Sequence, residues 1–238
     1  MRIAIIGYGK MGKMVEEVAL QREHDIILRI SSAIRQELTE DNILKADVAI
    51  EFTTQHSAFE NVKHCIDLGI PVVSGTTGWN HKLPEIKNHC LKKNGTFLHA
   101  SNFSIGVNIF FKLNTYLAKL MAHQSSYNVS IKEIHHTQKK DAPSGTAVTL
   151  AEQILSLSQT KGNWVNNSLA SDDELEIRSE RIDPAAGTHH VKYTSEIDDI
   201  EIIHTAHSRK GFALGAVLAA EFVYGRNGVF TMNDVLQF

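Results

Sequence analysis

Hydrophobic positions along this chain follow two successive rhythms. In the first, short apolar runs alternate with stretches whose apolar residues recur every three or four positions. Arg2–Ile6 is such a run, as expected for a strand buried on both faces. A helical pattern follows through Leu20, and further strands are expected at Ile26–Ile30, Asp47–Phe52, Pro71–Ser74 and Thr96–His99. Between them, His56–Leu68 carries Phe59, Val62 and Ile66 at helical spacing up to Gly69, and Leu83–Lys93 reads as another helix. Strands alternating with helices predict a doubly wound parallel sheet.

After Ser101 the rhythm changes. Val107 to about His123 reads as helix, and Tyr127–His135 alternates as a strand. Thr146–Ser158 places Val148, Ala151 and Leu155 on one helical face. Leu175–Glu180, His190–Ser195 and Ile200–Thr205 are strand-like runs joined by short polar links, which predicts an antiparallel or mixed sheet. Phe212–Tyr224 is a strongly apolar helix, and Val229–Val235 is a last short apolar run. The expected class is α/β: a Rossmann-like doubly wound parallel sheet, then an α+β half with a mixed sheet.

Composition narrows the options. The 238 residues correspond to one or two domains at about 150 residues each. Lys plus Arg is 24 against 27 Asp plus Glu, a net charge of −3, which argues against a nucleic-acid partner. The 2 cysteines, Cys65 and Cys90, make neither a disulfide framework nor a zinc motif. The opening apolar run is too short for a signal or a membrane span. The expectation is a cytoplasmic protein with no membrane partner.

Gly7-Tyr8-Gly9-Lys10-Met11-Gly12 has the G-x-G-x-x-G pattern between a strand and a helix, the context that pattern requires. Gly7 would allow the tight turn, Gly9 the approach of a pyrophosphate, and Gly12 close helix–strand packing. The acidic residue that usually holds the ribose is missing after the second strand, where Ser31 and Ser32 stand with Arg35 close behind. Two readings remain open there: hydroxyls and a cation receiving a 2′-phosphate, or the plain start of a loop.

The richest segment is Glu133–Ala147, which runs from a strand end through a basic loop into a helix start. Lys139, Lys140, His135 and His136 precede Gly145 and Thr146, whose amides open the helix. Such a set would grip a small carboxylate and place a proton donor beside it. The alternative is a surface loop with an ordinary cap. The chain has 13 histidines, 6 of them between His135 and His207. A metal cluster is not expected: neighbours such as His135 and His136, or His189 and His190, point to opposite faces of a strand, and no cysteine or carboxylate completes a set.

Five segments together resemble the 4-hydroxy-tetrahydrodipicolinate (dihydrodipicolinate) reductase family of the diaminopimelate and lysine pathway. They are E-x-H-H-x-x-K-x-D-A-P-S-G-T-A at Glu133–Ala147, G-T-T-G at Gly75–Gly78, A-x-N-F-S-x-G-V-N at Ala100–Asn108, H-x-A-x-S-R-x-x-F-A-x-G-A at His204–Ala216, and the tail Gly228–Leu236. The resemblance implies a nicotinamide-dependent reductase using NADPH or NADH on a small dicarboxylate. It implies His135 as general acid, Lys139 as second proton donor and anchor, and His136, Gly145 and Thr146 as substrate-binding residues. It implies cofactor contacts at Gly7–Gly12, at Gly75, Thr76 and Thr77, and at Ala100, Ser101, Asn102 and Phe103. Ser31 and Ser32 depart from the family pattern, which leaves the nucleotide preference open. The implied organisation is a cofactor domain of residues 1–103 and 212–238, around a substrate-binding and oligomerisation domain of residues 104–211. A homotetramer and hinge closure between the two halves are further implications. His204, Ser208 and Arg209 receive no assigned role. Two rivals stay in view: a related dehydrogenase for another amino or imino acid, and a nucleotide sensor without turnover.

Overall fold

In β1 (Arg2–Ile6) the four residues Ile3–Ile6 are all buried, because helices cover both faces of the strand. The computed structural model describes residues 1–166 and 171–238. After β1 come α1 (Lys10–Gln21), β2 (Asp25–Ile30), α2 (Glu40–Ile43), β3 (Val48–Glu51), α3 (Ala58–Asp67), β4 (Val72–Ser74), α4 (Leu83–Lys92), β5 (Thr96–His99) and α5 (Ile105–Met121). Then follow β6 (Asn128–His135), α6 (Gly145–Leu155), β7 (Asn163–Val165), β8 (Glu174–Arg181), β9 (Gly187–Thr194), β10 (Asp199–Ala206), α7 (Lys210–Val223), β11 (Gly228–Phe230) and α8 (Met232–Leu236).

Two compact units emerge. The first comprises Met1–Ile105 and Lys210–Phe238. Its six-stranded sheet has the order β2-β1-β3-β4-β5-β11, with every pair parallel. On one face Val15, Val18, Val217 and Ala220 pack from α1 and α7; on the other Val62, Ile66 and Ile86 pack from α3 and α4. The chain leaves β1 to one side for β2 and returns to the other side for β3. Ligands of such sheets bind at the strand ends beside that switch of direction.

The second unit comprises Gly106–Arg209. Its sheet has the order β10-β9-β6-β8-β7, with β9 antiparallel to β10 and β6, and β8 parallel to β6 and β7. Phe110, Ala118, Leu150 and Ile154 of α5 and α6 cover one face against Ile131, Ile177 and Val191. Along β6 the alternation buries Val129, Ile131, Glu133 and His135. The inward row thus begins apolar and ends in two ionisable groups.

Three differences from the sequence reading stand out. A 3-10 turn at Ser32–Glu37 and the short α2 fill the link after β2. β7 has three residues, too few for a periodic signal. The run Val229–Val235 divides into β11 and α8 because Thr231 and Asp234 form a capping box that starts a new helix.

Candidate active site

The site of the second unit is built by strand register. Glu133 of β6 stands opposite His189 of β9 and beside Ser179 of β8, and His189 in turn stands opposite His204 of β10. One residue pair further along, Arg181 of β8 is beside His135 of β6. Residues of four strands therefore meet at the C-terminal end of β6, just ahead of the loop to α6.

Glu133 is fully buried and is the hub. The Ser144 amide donates to both its oxygens at 3.0 and 3.1 Å. The Ser179 hydroxyl at 2.7 Å and Arg181 Nη2 at 3.1 Å donate to Oε1. Burial alone would raise this carboxyl, but the donors from Ser144, Ser179 and Arg181 outweigh it and hold it below the ordinary glutamate range. His135 Nδ1 lies 3.4 Å from Glu133 Oε2. Burial lowers the His135 pKa, with Glu133 pulling the other way and Lys139 and Arg181 adding to the lowering. The His189 ring meets that of His135 edge-on, with centroids 5.1 Å apart. Burial and then His135 push His189 down to about 3, so it is neutral at physiological pH.

The loop beyond β6 is tied back to this hub. Arg181 donates from Nε to the Lys139 carbonyl at 3.2 Å and from Nη2 to the Asp141 carbonyl at 2.5 Å. Lys139 Nζ pairs with Asp141 at 2.7 Å. Ser144 caps α6, its Oγ accepting from the Ala147 amide at 3.2 Å. The amides of Gly145 and Thr146 open the helix, where no acceptor exists within the helix. A side chain at Gly145 would meet nothing within 4 Å, so this helix start is open to an anion. His136 Nε2 lies 3.4 Å from Arg209 Nη2, which places an unassigned cation beside a predicted substrate residue.

The structure thus brings His135, Lys139, Gly145 and Thr146 around one strand end. Sequence reasoning gave no role to Glu133, Arg181, His189 or Gly187. Only Glu133 left a local signal: two residues before His135, it shares that strand face. The expectation that no carboxylate joins the histidines is corrected. Glu133, His135 and His189 place potential ligand atoms within 4.8 Å of one another, because the β6–β9 register brings together residues far apart in sequence. The Arg181 guanidinium already balances the charge of that carboxylate.

The first unit carries the other predicted site. Gly7 has φ +103°, and a Cβ there would lie 2.0 Å from the Phe52 carbonyl; a Cβ at Gly12 would lie 2.4 Å from the Gly7 carbonyl. Gly9 differs: its Cβ would meet nothing within 4 Å, leaving the turn open where a pyrophosphate would approach. A cavity of about 470 Å³ runs past Gly7, Tyr8, Gly9, Ser31, Ser32 and Arg35. Another, of about 360 Å³, shares Gly9 and is lined by Lys10, Met11, Gly75, Thr76 and Thr77. These features fit a dinucleotide. Buried Glu51 fixes the second cavity, accepting from Ser74 Oγ at 2.5 Å, Thr76 Oγ1 at 2.7 Å and the Thr53 amide at 2.9 Å. Thr76 also offers its carbonyl to Trp79 Nε1 at 2.7 Å. Ala100 donates to the Ser74 carbonyl at 3.2 Å, Ser101 is exposed, and Asn102 Oδ1 accepts from the Ser104 amide at 2.9 Å. The Phe103 side chain is buried in the core, 5.8 Å from the Phe52 ring.

Comparison with known proteins adds an independent line. Residues 1–103 match the model of the dihydrodipicolinate reductase N-terminus, and residues 106–236 that of the C-terminus. The 4-hydroxy-tetrahydrodipicolinate reductase of Christiangramia forsetii is 48% identical over 99% of this chain and 98% of its own length. The Methanococcoides burtonii protein of the same name is 37% identical over 95% of this chain and 85% of its own. Among solved structures, the dipicolinate-bound dihydrodipicolinate reductase from Paenisporosarcina sp. TG-14 shares the fold with a TM-score of 0.76, at 23% identity and covering 98% of both chains. A fold likeness alone extends further, to GenD2 from gentamicin A biosynthesis in complex with NAD, with a TM-score of 0.59 at 12% identity over 99% of this chain and 90% of that one. Both family models are matched in sequence order and a relative is similar from end to end: the chain belongs to the dihydrodipicolinate reductase family.

Proposed function

We propose that this chain reduces 4-hydroxy-tetrahydrodipicolinate to tetrahydrodipicolinate with NADPH or NADH, releasing water, in diaminopimelate and lysine biosynthesis. The observation that carries this reading is the meeting of His135, Lys139 and the open α6 N-terminus at the end of β6, in a chain of this family. The nicotinamide, when bound, supplies the hydride. Gly9 and the first-turn amides of α1 would hold its pyrophosphate, Ser31, Ser32 and Arg35 would face the adenosine end, and the Gly75–Thr77 loop would face the nicotinamide.

The residues of the second unit do the remaining work. The substrate is a dianion, so it needs two anion sites. Gly145 and Thr146 amides would hold one carboxylate, while His136 and Lys139 would meet the other oxygens. Hydride addition leaves electron density on the ring that a proton must quench; His135 would give it, with Lys139 as the second donor. The same unit would carry the oligomer face of a homotetramer. Its uncovered sheet face presents Lys132, Glu176, Arg178, His190, Lys192 and Glu201, a field of both signs suited to pairing with a second copy. Among the described residues no helix is long and apolar enough to cross a membrane. We place the protein in the cytoplasm, where its 2 free, buried cysteines stay reduced.

The decisive assay follows NADPH oxidation while the preceding pathway enzyme generates the substrate. Turnover that depends on that enzyme is expected, with pyridine-2,6-dicarboxylate competing as a planar dianionic mimic. Nucleotide binding without turnover would point instead to a sensor.

A further inference from the structure

The mechanism above uses His135 but leaves unexplained the fully buried carboxylate two residues before it. Glu133 Oε1 accepts from Ser144, Ser179 and Arg181. Oε2 shares the Ser144 amide at 3.1 Å and lies 3.4 Å from His135 Nδ1 and 3.8 Å from His189 Nε2. His135 Nδ1 is buried and has no hydrogen-bond partner, so this ion-held carboxylate is the acceptor within reach. The distance is longer than a formed hydrogen bond, as catalytic contacts often are before substrate binds. The edge-on His189 ring fixes the plane of the imidazole from a second side. On the far edge, Gly187 leaves Nε2 unobstructed: a Cβ there would stand 3.2 Å from that atom.

A buried carboxylate at Nδ1 keeps that nitrogen protonated in both charge states of the ring. The exchangeable proton then belongs to Nε2. Resting on the reductase reading, we propose that Glu133 is a positioning residue: its carboxylate fixes the Nδ1–H of His135 and directs the proton to be transferred to Nε2, the nitrogen beside Gly187. The nicotinamide and substrate need not touch Glu133; it acts through the imidazole.

A double-mutant cycle tests this on the full chain, with Glu133→Gln, His135→Gln and the double variant assayed for NADPH oxidation on substrate generated in situ. Glu133→Gln is expected to lower kcat about 10-fold to 100-fold, the usual effect of removing such a partner, with the substrate KM and NADPH affinity little changed. In the His135→Gln background the same change should add little further loss, because the residue it acts through is gone. An equal loss in both backgrounds means a purely structural role and overturns the proposal. Glu133→Asp covers the case in which the Gln variant does not fold. It keeps the buried charge but draws the carboxylate back from Nδ1, and its loss of kcat should likewise vanish without His135. Imidazole ¹⁵N shifts of the free protein provide a readout without substrate. His135 should show the Nδ1–H tautomer in the native chain and lose that preference in the Glu133 variant. The Nε2–H tautomer in the native chain would overturn the assignment. If the native chain does not oxidise NADPH with this substrate, the reductase reading fails while the tautomer measurement still judges Glu133.

Discussion

Arg181 Nε donates to the main-chain carbonyl of Lys139 at 3.2 Å, across 42 residues of sequence. The same guanidinium reaches Asp141 and Glu133, so one planar fork links the strand end to the loop that carries the proposed anchor. Arg181→Lys should keep a cation beside the buried carboxylate but lose the fork. Its thermal midpoint should stay near that of the native chain, while kcat/KM falls about 10-fold or more, the scale expected for a supporting residue. Arg181→Met should lower both, because it leaves a buried charge without its partner. Native kinetics in the Lys variant would detach Arg181 from the site.

The three turn glycines should separate by what surrounds them. Gly7→Ala and Gly12→Ala drive a Cβ into main-chain carbonyls at 2.0 and 2.4 Å and should destabilise the fold. Gly9→Ala meets only open space. It should melt like the native chain yet bind NADPH and NADH more weakly, because the methyl stands where a pyrophosphate would approach. Calorimetric titration alongside thermal denaturation distinguishes the two outcomes. Unchanged nucleotide affinity in Gly9→Ala would remove this turn from the cofactor site.

Local chemistry was readable where it repeats along the chain. β1 and β5 lie where their apolar runs place them, and the S-G-T helix start stands at the head of α6. What escaped is set by register. Glu133 meets His189 because β6 pairs antiparallel with β9, and meets Arg181 because β8 runs parallel to β6. No local period encodes either pairing, since the partners are separated by dozens of residues. The parity argument that keeps His135 and His136 apart is sound for one strand, but it says nothing of what a neighbouring strand brings to the same face. Phe103 shows the converse. Its motif identifies the segment, yet the side chain is taken into the core by packing with Phe52.

Ser31, Ser32 and Arg35 line the larger cavity of the first unit, whose lining holds no carboxylate. Two hydroxyls and a guanidinium suit a 2′-phosphate, whereas an acidic residue would suit a free 2′-hydroxyl. NADPH is therefore expected to serve at least as well as NADH. Arg35→Ala should raise the KM for NADPH about 10-fold to 100-fold, the scale of the roughly 1.5–3 kcal/mol of a charged hydrogen bond, and leave that for NADH nearly unchanged. A native chain with a strong NADH preference would contradict this assignment.

His189 gives stability a pH dependence whose sign follows from its environment. Its folded pKa is about 3, against an ordinary value of 6.5, because burial and His135 disfavour the cation. The unfolded chain therefore binds a proton that the folded chain refuses as pH falls below 6.5. The contribution is complete above that value and is lost progressively down to about pH 3, at up to about 1.4 kcal/mol per pH unit. His135 and His204 are also lowered and act in the same direction. Glu133, held below its ordinary range, adds its own loss as pH falls through the carboxylate region. His189→Gln removes one of these protons while keeping a polar group near Ser144. Urea midpoints between pH 7 and 5 should then fall less steeply in the variant than in the native chain, with a residual slope from the other lowered histidines, His99, His135 and His204. Parallel curves would show that His189 is protonated to the same extent folded and unfolded.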